Sequence, residues 1–151
     1  MIECPDVKSN VTKEEAKLIL GRSKTVAVVG ISHKADRDSH KVAKYLKEHG
    51  YRIIPVNPKY RDVLGEKCYP DLKAVPEHID VVDIFRNVEM IPGIVDEAVA
   101  VGADAVWMQR GLLHEKAAER ARSAGLVVVM DECMMETHIR LNGGCRAGSS
   151  A

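Results

Sequence analysis

The sequence predicts an α/β fold: a Rossmann-like, doubly wound parallel sheet of five strands, with helices on both faces making three layers. Three observations point to it. Short apolar runs rich in β-branched residues recur along the chain, beginning with Thr25 to Val29, and they lack the alternating polar face of a strand exposed on one side. Segments of helical period separate these runs, and a glycine closes several of those segments. Alternation of this kind produces right-handed crossovers between parallel strands, and the order 3-2-1-4-5 follows if the first crossovers go one way and the later ones the other.

Thr12 to Gly21 comes first, a short helix with Thr12 and Glu15 in capping-box spacing and Ala16, Ile19 and Leu20 on one face. The first strand, Thr25 to Val29, stops at Gly30. A polar loop carrying Lys34 and Arg37 leads into a helix that begins near Ser39 and ends at Gly50; Val42, Ala43 and Leu46 share its face, and Asp38 or Ser39 is placed to cap its first turn. Arg52 to Asn57 is the second strand. Its Pro55 has no N–H to give a ladder and is best tolerated near an edge or at an irregularity. Lys59 to Ile79 has no long helical period, so a short strand near Lys67 to Tyr69 and one helical turn near Leu72 to Val75 are all that is expected there. Asp80 to Phe85 is the third strand, followed by a helix over Ile91 to Val101 with Pro92 early and Gly102 as its stop. Asp104 to Met108, an alanine-rich helix over Leu113 to Ala124, and Leu126 to Met130 complete the alternation.

At 151 residues the chain suits one domain over 1–141, with a small, polar, flexible tail over 142–151. Lys plus Arg and Asp plus Glu number 22 each, so no net field draws the chain to nucleic acid or membrane, and any anion site must be a local cluster of bases. No apolar run approaches the roughly 18 residues of a membrane span, and Met1 to Asn10 lacks the basic start and apolar core of a secretion signal, so a cytoplasmic protein is expected. Cys4, Cys68, Cys133 and Cys145 have no paired spacing, which argues against a zinc site or a disulfide framework and for free thiols. His33, His40, His49, His78, His114 and His138 show no metal spacing either, and none is assigned as a catalyst.

In such a sheet the ligand crevice lies at the carboxyl ends of the strands, beside the point where the winding reverses. The candidate segments are Gly30 to Ser32, Asn57 and Pro58, Phe85 and Arg86, Met108 to Gly111, and Asp131 to Cys133. The glycine, the polar loop and the helix start after the first strand offer backbone N–H groups and a positive dipole end, the physical recipe for a phosphate. An NAD fold would show G-x-G-x-x-G there and an acid at the end of the second strand. This chain has Gly30-Ile31-Ser32, bases at Lys34, Arg37 and Lys41, and Asn57 in place of the acid, so a more heavily phosphorylated adenine nucleotide fits better. A P-loop for ATP is absent from the sequence.

The runs VAVVGIS, YLKEHGY, IIPVNP, LGEKCYPDL, VVDIFR, AVWMQRG and VVMDEC together resemble, in order and spacing, the small single-domain CoA-binding proteins of bacteria and archaea. The resemblance spans about Thr25 to Leu141. It implies a Rossmann-like fold related to the CoA-binding domain of the succinyl-CoA synthetase alpha subunit, with coenzyme A or an acyl-CoA as ligand and no established reaction. It implies that Gly30, Ser32 and the loop from Arg37 to Lys41, with Ser39 and His40, hold the diphosphate, that Asn57 and Pro58 lie beside the nucleotide, and that Phe85 and Arg86 border the site; Ile31 and Lys34, from the same loop, are further cofactor-binding candidates. Many relatives have prolines between the serine and the helix; this chain has His33 to Asp38 instead. In the order 3-2-1-4-5 the fifth strand lies two places from the first, roughly 10 Å away at about 4.8 Å per strand. A pantetheine arm passing Gln109 would then bring the CoA thiol to Cys133. A carrier, sensor or regulatory module, monomeric or homodimeric, is expected; an NADP-linked oxidoreductase and an acyl-CoA ligase or transferase subunit are the alternatives.

Overall fold

The computed structural model describes residues 10–141, with side chains from residue 14. The tail expected over 142–151, and Cys4 and Cys145, lie outside the described residues. The main strands are β1 (Thr25–Val29), β2 (Arg52–Val56), β5 (Val81–Ile84), β6 (Ala105–Met108) and β7 (Val127–Val129); β3 (Asp62–Val63) and β4 (Glu66–Lys67) form a small antiparallel hairpin. The helices are α1 (Asn10–Arg22), α2 (Asp38–Glu48), α3 (Ile91–Val101), α4 (Glu115–Ser123) and α5 (Met134–Ile139). Residues 72–74 form the expected helical turn. Helix α1 begins two residues before Thr12, so Thr12 lies inside it and not at its cap.

All five main strands run parallel, and the fold class is the one the alternation predicts. Their order is β2-β1-β5-β6-β7. Counting the main strands alone, that is 2-1-3-4-5, so the third strand sits beside the first, where 3-2-1-4-5 would set the fourth. Pro55 supplies a physical reason. With no N–H to donate, it suits the sheet's edge, where β2 now lies, and would break the ladder on one side of an interior strand. The interior place goes to β5, whose four residues are all buried.

Alternation divides each strand between two cores. Ala27, Val29, Val82, Ile84 and Val106 face α3 and α4, whose Ile91, Val95, Ala98, Ala118 and Ala121 pack against them. Val26, Val28, Val81 and Trp107 face the other way, toward Ile19, Val42, Leu46 and Met134 of α1, α2 and α5. Trp107 is fully buried, as its place inside a strand suggests, and its indole N–H donates to the Glu132 carbonyl at 2.9 Å.

Gly30 ends β1 with φ +90°, and a Cβ built there would stand 2.5 Å from the Phe85 carbonyl oxygen. The glycine is therefore required by the approach of β1's end to the backbone leaving β5, before any ligand is considered. Asp83, by contrast, has no account in packing: it is 0% exposed, registered between Val28 and Trp107, and neither carboxylate oxygen has a hydrogen-bond partner. Burial raises its pKa well above the ordinary carboxylate value.

Gly30→Ala should cost about 1–3 kcal/mol or more in urea unfolding, from the left-handed backbone and the clash together; an unchanged midpoint would mean the β1 and β5 ends can separate freely. For Asp83 the sign follows from linkage. The folded state holds its proton more tightly, so the titration of Asp83 contributes nothing below the unfolded pKa of about 3.9 and destabilises increasingly as pH rises above it, by up to about 1.4 kcal/mol per pH unit until the folded pKa is reached. Asp83→Asn should remove that component, making the stability difference between variant and parent grow from pH 4 to pH 6 in urea titrations; a difference independent of pH would refute it.

Candidate functional site

With β5 beside β1, the winding reverses between those two strands, and the loops leaving them frame a groove at the carboxyl edge of the sheet. The loop after β1 is built by its own hydrogen bonds. Ser39 is buried, and its Oγ accepts from the Ser32 amide at 2.9 Å; the Ser32 Oγ accepts from the Lys34 amide at 3.1 Å; the His40 ring Nδ1 lies 2.9 Å from the Ser32 carbonyl. Helix α2 then starts from Arg37, which has extended backbone and makes no side-chain cap bond, so neither Asp38 nor Ser39 is the cap residue; Asp38 is the first helical residue. An uncapped start leaves first-turn N–H groups available to an acceptor from outside.

Three clefts meet here. The first, about 380 Å³, is lined by Gly30, Ser32, Asp36 to Ser39 and Phe85. The second, about 180 Å³, is largely apolar and lies over the α3 face, between Val29, Gly30, Val56, Pro58, Pro70, Leu72, Met90, Ile94 and Arg86. Its two acids are already engaged, Asp71 accepting from the Ala74 amide at 2.9 Å and Glu97 from the Leu72 amide at 3.1 Å. The third, about 360 Å³, runs between α2 and α5 past Asp38, Lys41, Val42, Phe85, Arg86, Gln109, Arg110, Cys133 and Met135. Gly30 is common to the first and second, Arg86 to the second and third, and Asp38 and Phe85 to the first and third. They form one branched groove.

The structure sorts the residues singled out by sequence. Gly30, Ser32, Arg37, Ser39, Lys41, Pro58, Phe85, Arg86, Gln109 and Cys133 all line the groove. Arg37, Lys41 and Arg86 make no ion pair among the described residues, although Asp36 and Asp38 are close in sequence. Lys34 is exposed and borders none of the three clefts, and His40 serves the loop. Ile31 has a fully buried side chain in the core shared with α2, which leaves only its backbone for a loop contact. Asn57 is a clamp: its amide donates to the Ile31 carbonyl and its Oδ1 accepts from the Lys59 amide, both at 2.9 Å, tying the end of β2 to the end of β1. Gln109 is buried, and its Oε1 accepts from the Met134 amide at 3.1 Å, fixing the start of α5.

One wall of the groove was not read from the sequence. Helix α5, six residues long, supplies a wall of the third cleft through Met135 and Glu136. Arg110 faces it and pairs with Glu136. The corrected strand order also moves β7 to three places from β1, about 14 Å at 4.8 Å per strand and not 10 Å. Cys133 nonetheless lines the same cleft as Lys41 and Arg86. Cys68 does not: it is buried, its Sγ lies 3.4 Å from the Asn57 carbonyl, and burial raises its pKa.

No helix among the described residues is long and apolar enough to cross a membrane. Comparison with known proteins gives three informative likenesses. The YneT protein of Bacillus subtilis (strain 168) is 43% identical over 129 residues, 85% of this chain and 96% of that protein. A solved structure of a Pyrococcus horikoshii OT3 protein superposes with TM-score 0.85 at 43% identity, covering 95% of this chain and all of that one (100%). The ADP-forming acetate–CoA ligase of Methanocaldococcus jannaschii is 30% identical over 129 residues, 79% of this chain but only 18% of the ligase. The family described as CoA binding domain matches residues 24–139, nearly the whole of the described fold, and this chain belongs to that family.

Proposed function

We propose that this protein binds coenzyme A, free or acylated, along the branched groove, and acts as a carrier, sensor or regulatory module. The observation that carries the reading is the continuity of the three clefts around Gly30, Phe85 and Arg86, because their separate characters match the parts of one elongated ligand. The small apolar cleft suits the adenine, with Pro58 at its rim. The uncapped start of α2, with Ser32 and Arg37, suits the diphosphate. The third cleft suits the pantetheine arm, passing Gln109 and ending at Cys133. Asn57 contributes by neutrality: no carboxylate stands at the end of β2 to repel a phosphorylated ribose.

Calorimetric titration should rank CoA above dephospho-CoA and both above NAD, with affinity falling as salt rises, since exposed phosphate contacts are screened over roughly 8 to 10 Å at ordinary ionic strength. Arg37→Ala, Lys41→Ala and Arg86→Ala should each weaken CoA by about 1 kcal/mol, roughly fivefold. Equal affinity for all three ligands, or silence of all three substitutions, would sink the reading.

The arm's path has its own test. Incubated with CoA disulfide, the Cys133 thiolate should attack one sulfur, retain one CoA as a mixed disulfide and release the other as free thiol. Intact mass and peptide mapping should find one CoA-sized adduct on Cys133, removed by dithiothreitol; an adduct on Cys68 instead would show that the arm runs elsewhere.

A further inference from the structure

At the opposite, amino end of the sheet lies a cluster of donors that the groove does not use. The parallel register of Val81 with Ala105 sets the preceding residues, Asp80 and Asp104, side by side, and the Ala105 amide donates to the Asp80 carbonyl at 3.0 Å. His78, two residues earlier, folds over both. Its Nε2 lies 3.5 Å from Asp80 Oδ1 and 3.2 Å from Asp104 Oδ2, and one ligand atom from each of the three lies within 4.8 Å of the others. Among the described residues no Lys or Arg side chain pairs with either carboxylate. Two carboxylates therefore converge on one imidazole, with the side chain of His78 55% and that of Asp104 45% exposed to solvent.

We propose that His78, Asp80 and Asp104 form a binding site for a divalent transition-metal ion, Zn²⁺ being the best fit, that staples the starts of β5 and β6. Tetrahedral zinc with bonds of about 2.0–2.2 Å separates neighbouring ligand atoms by about 3.3–3.6 Å, and the two separations from His78 Nε2, 3.2 and 3.5 Å, lie close to that edge. The ion would sit among three ligand atoms with its remaining position open to water. Asp80 comes oriented: its other oxygen, Oδ2, accepts from the Lys24 and Thr25 amides at 2.8 and 2.9 Å, which turns Oδ1 toward the histidine and fixes the carboxylate from outside the coordination sphere. An imidazole nitrogen in the set favours zinc, cobalt or nickel over magnesium and calcium. The site is invisible in residue spacing because its third donor arrives only when β5 and β6 pair.

The test is calorimetric titration of the chelator-treated, reduced full chain with Zn²⁺, beside His78→Ala and Asp104→Asn, with folding of each variant checked by circular dichroism. One ion per chain is expected, weakened at least tenfold in each variant and undisturbed by a tenfold excess of Mg²⁺. Substituting Co²⁺ should give a visible spectrum without thiolate charge-transfer bands, which sets this site apart from the cysteines. Absence of binding at 100 μM Zn²⁺, binding indifferent to both substitutions, equal competition by Mg²⁺, or sulfur-ligated cobalt would each overturn the assignment, leaving His78 as an ion-pair partner of the two aspartates.

Discussion

The contact on which the groove depends is the approach of β1's end to the backbone leaving β5, where a glycine without a Cβ lies against the Phe85 carbonyl. Around that point the ends of three strands are tied together. The Gly30 amide donates to the Val56 carbonyl at 2.9 Å, the side-chain Nδ2 of Asn57 donates to the Ile31 carbonyl, and the Phe85 amide donates to the Val29 carbonyl at 2.8 Å. Because the winding reverses here, the loops part to either side above these ties, and the clefts open where they part. Rigidity below and divergence above are two results of one arrangement.

Much of this was legible in the sequence, because long apolar runs and helical periods report burial directly. The boundaries of α3 fall where Pro92 and Gly102 place them, and Gly102 takes the left-handed conformation that such a stop requires. The strand order was not legible from alternation alone, since a parallel crossover can carry the third strand to either side of the first pair. Pro55 held the needed information, and it concerns which strands need hydrogen-bond partners on both sides.

Site residues divide along similar lines. Glycine, serine and bases after a strand describe a chemistry that local sequence can state, and Gly30, Ser32, Arg37 and Lys41 do line the groove. Asn57 and Ile31 were recognisable as special positions, but whether a side chain faces a ligand or its own fold depends on tertiary hydrogen bonds and burial. Helix α5 was missed because six residues give less than two helical turns of pattern, and its N-cap residue, Cys133, makes no side-chain cap bond. Asp83 was in plain view inside an apolar run. What spacing cannot express is that it is enclosed on every side.

The position of β2 at the end of the main sheet has a consequence for how this molecule behaves among its own copies. An outermost strand with free N–H and C=O groups is a template on which another chain can extend the sheet. Here the Tyr69 amide takes the Pro55 carbonyl at 3.0 Å, the Asn57 amide takes the Tyr69 carbonyl at 2.8 Å, and Pro55 itself has no hydrogen to offer. A stretch too irregular to count as a sixth strand thus occupies the carboxyl half of that border. The same segment carries Pro70 and Leu72 into the apolar cleft, so the piece of chain that blocks edge-to-edge aggregation is also a wall of the groove, and loosening it would expose the protein to both losses at once.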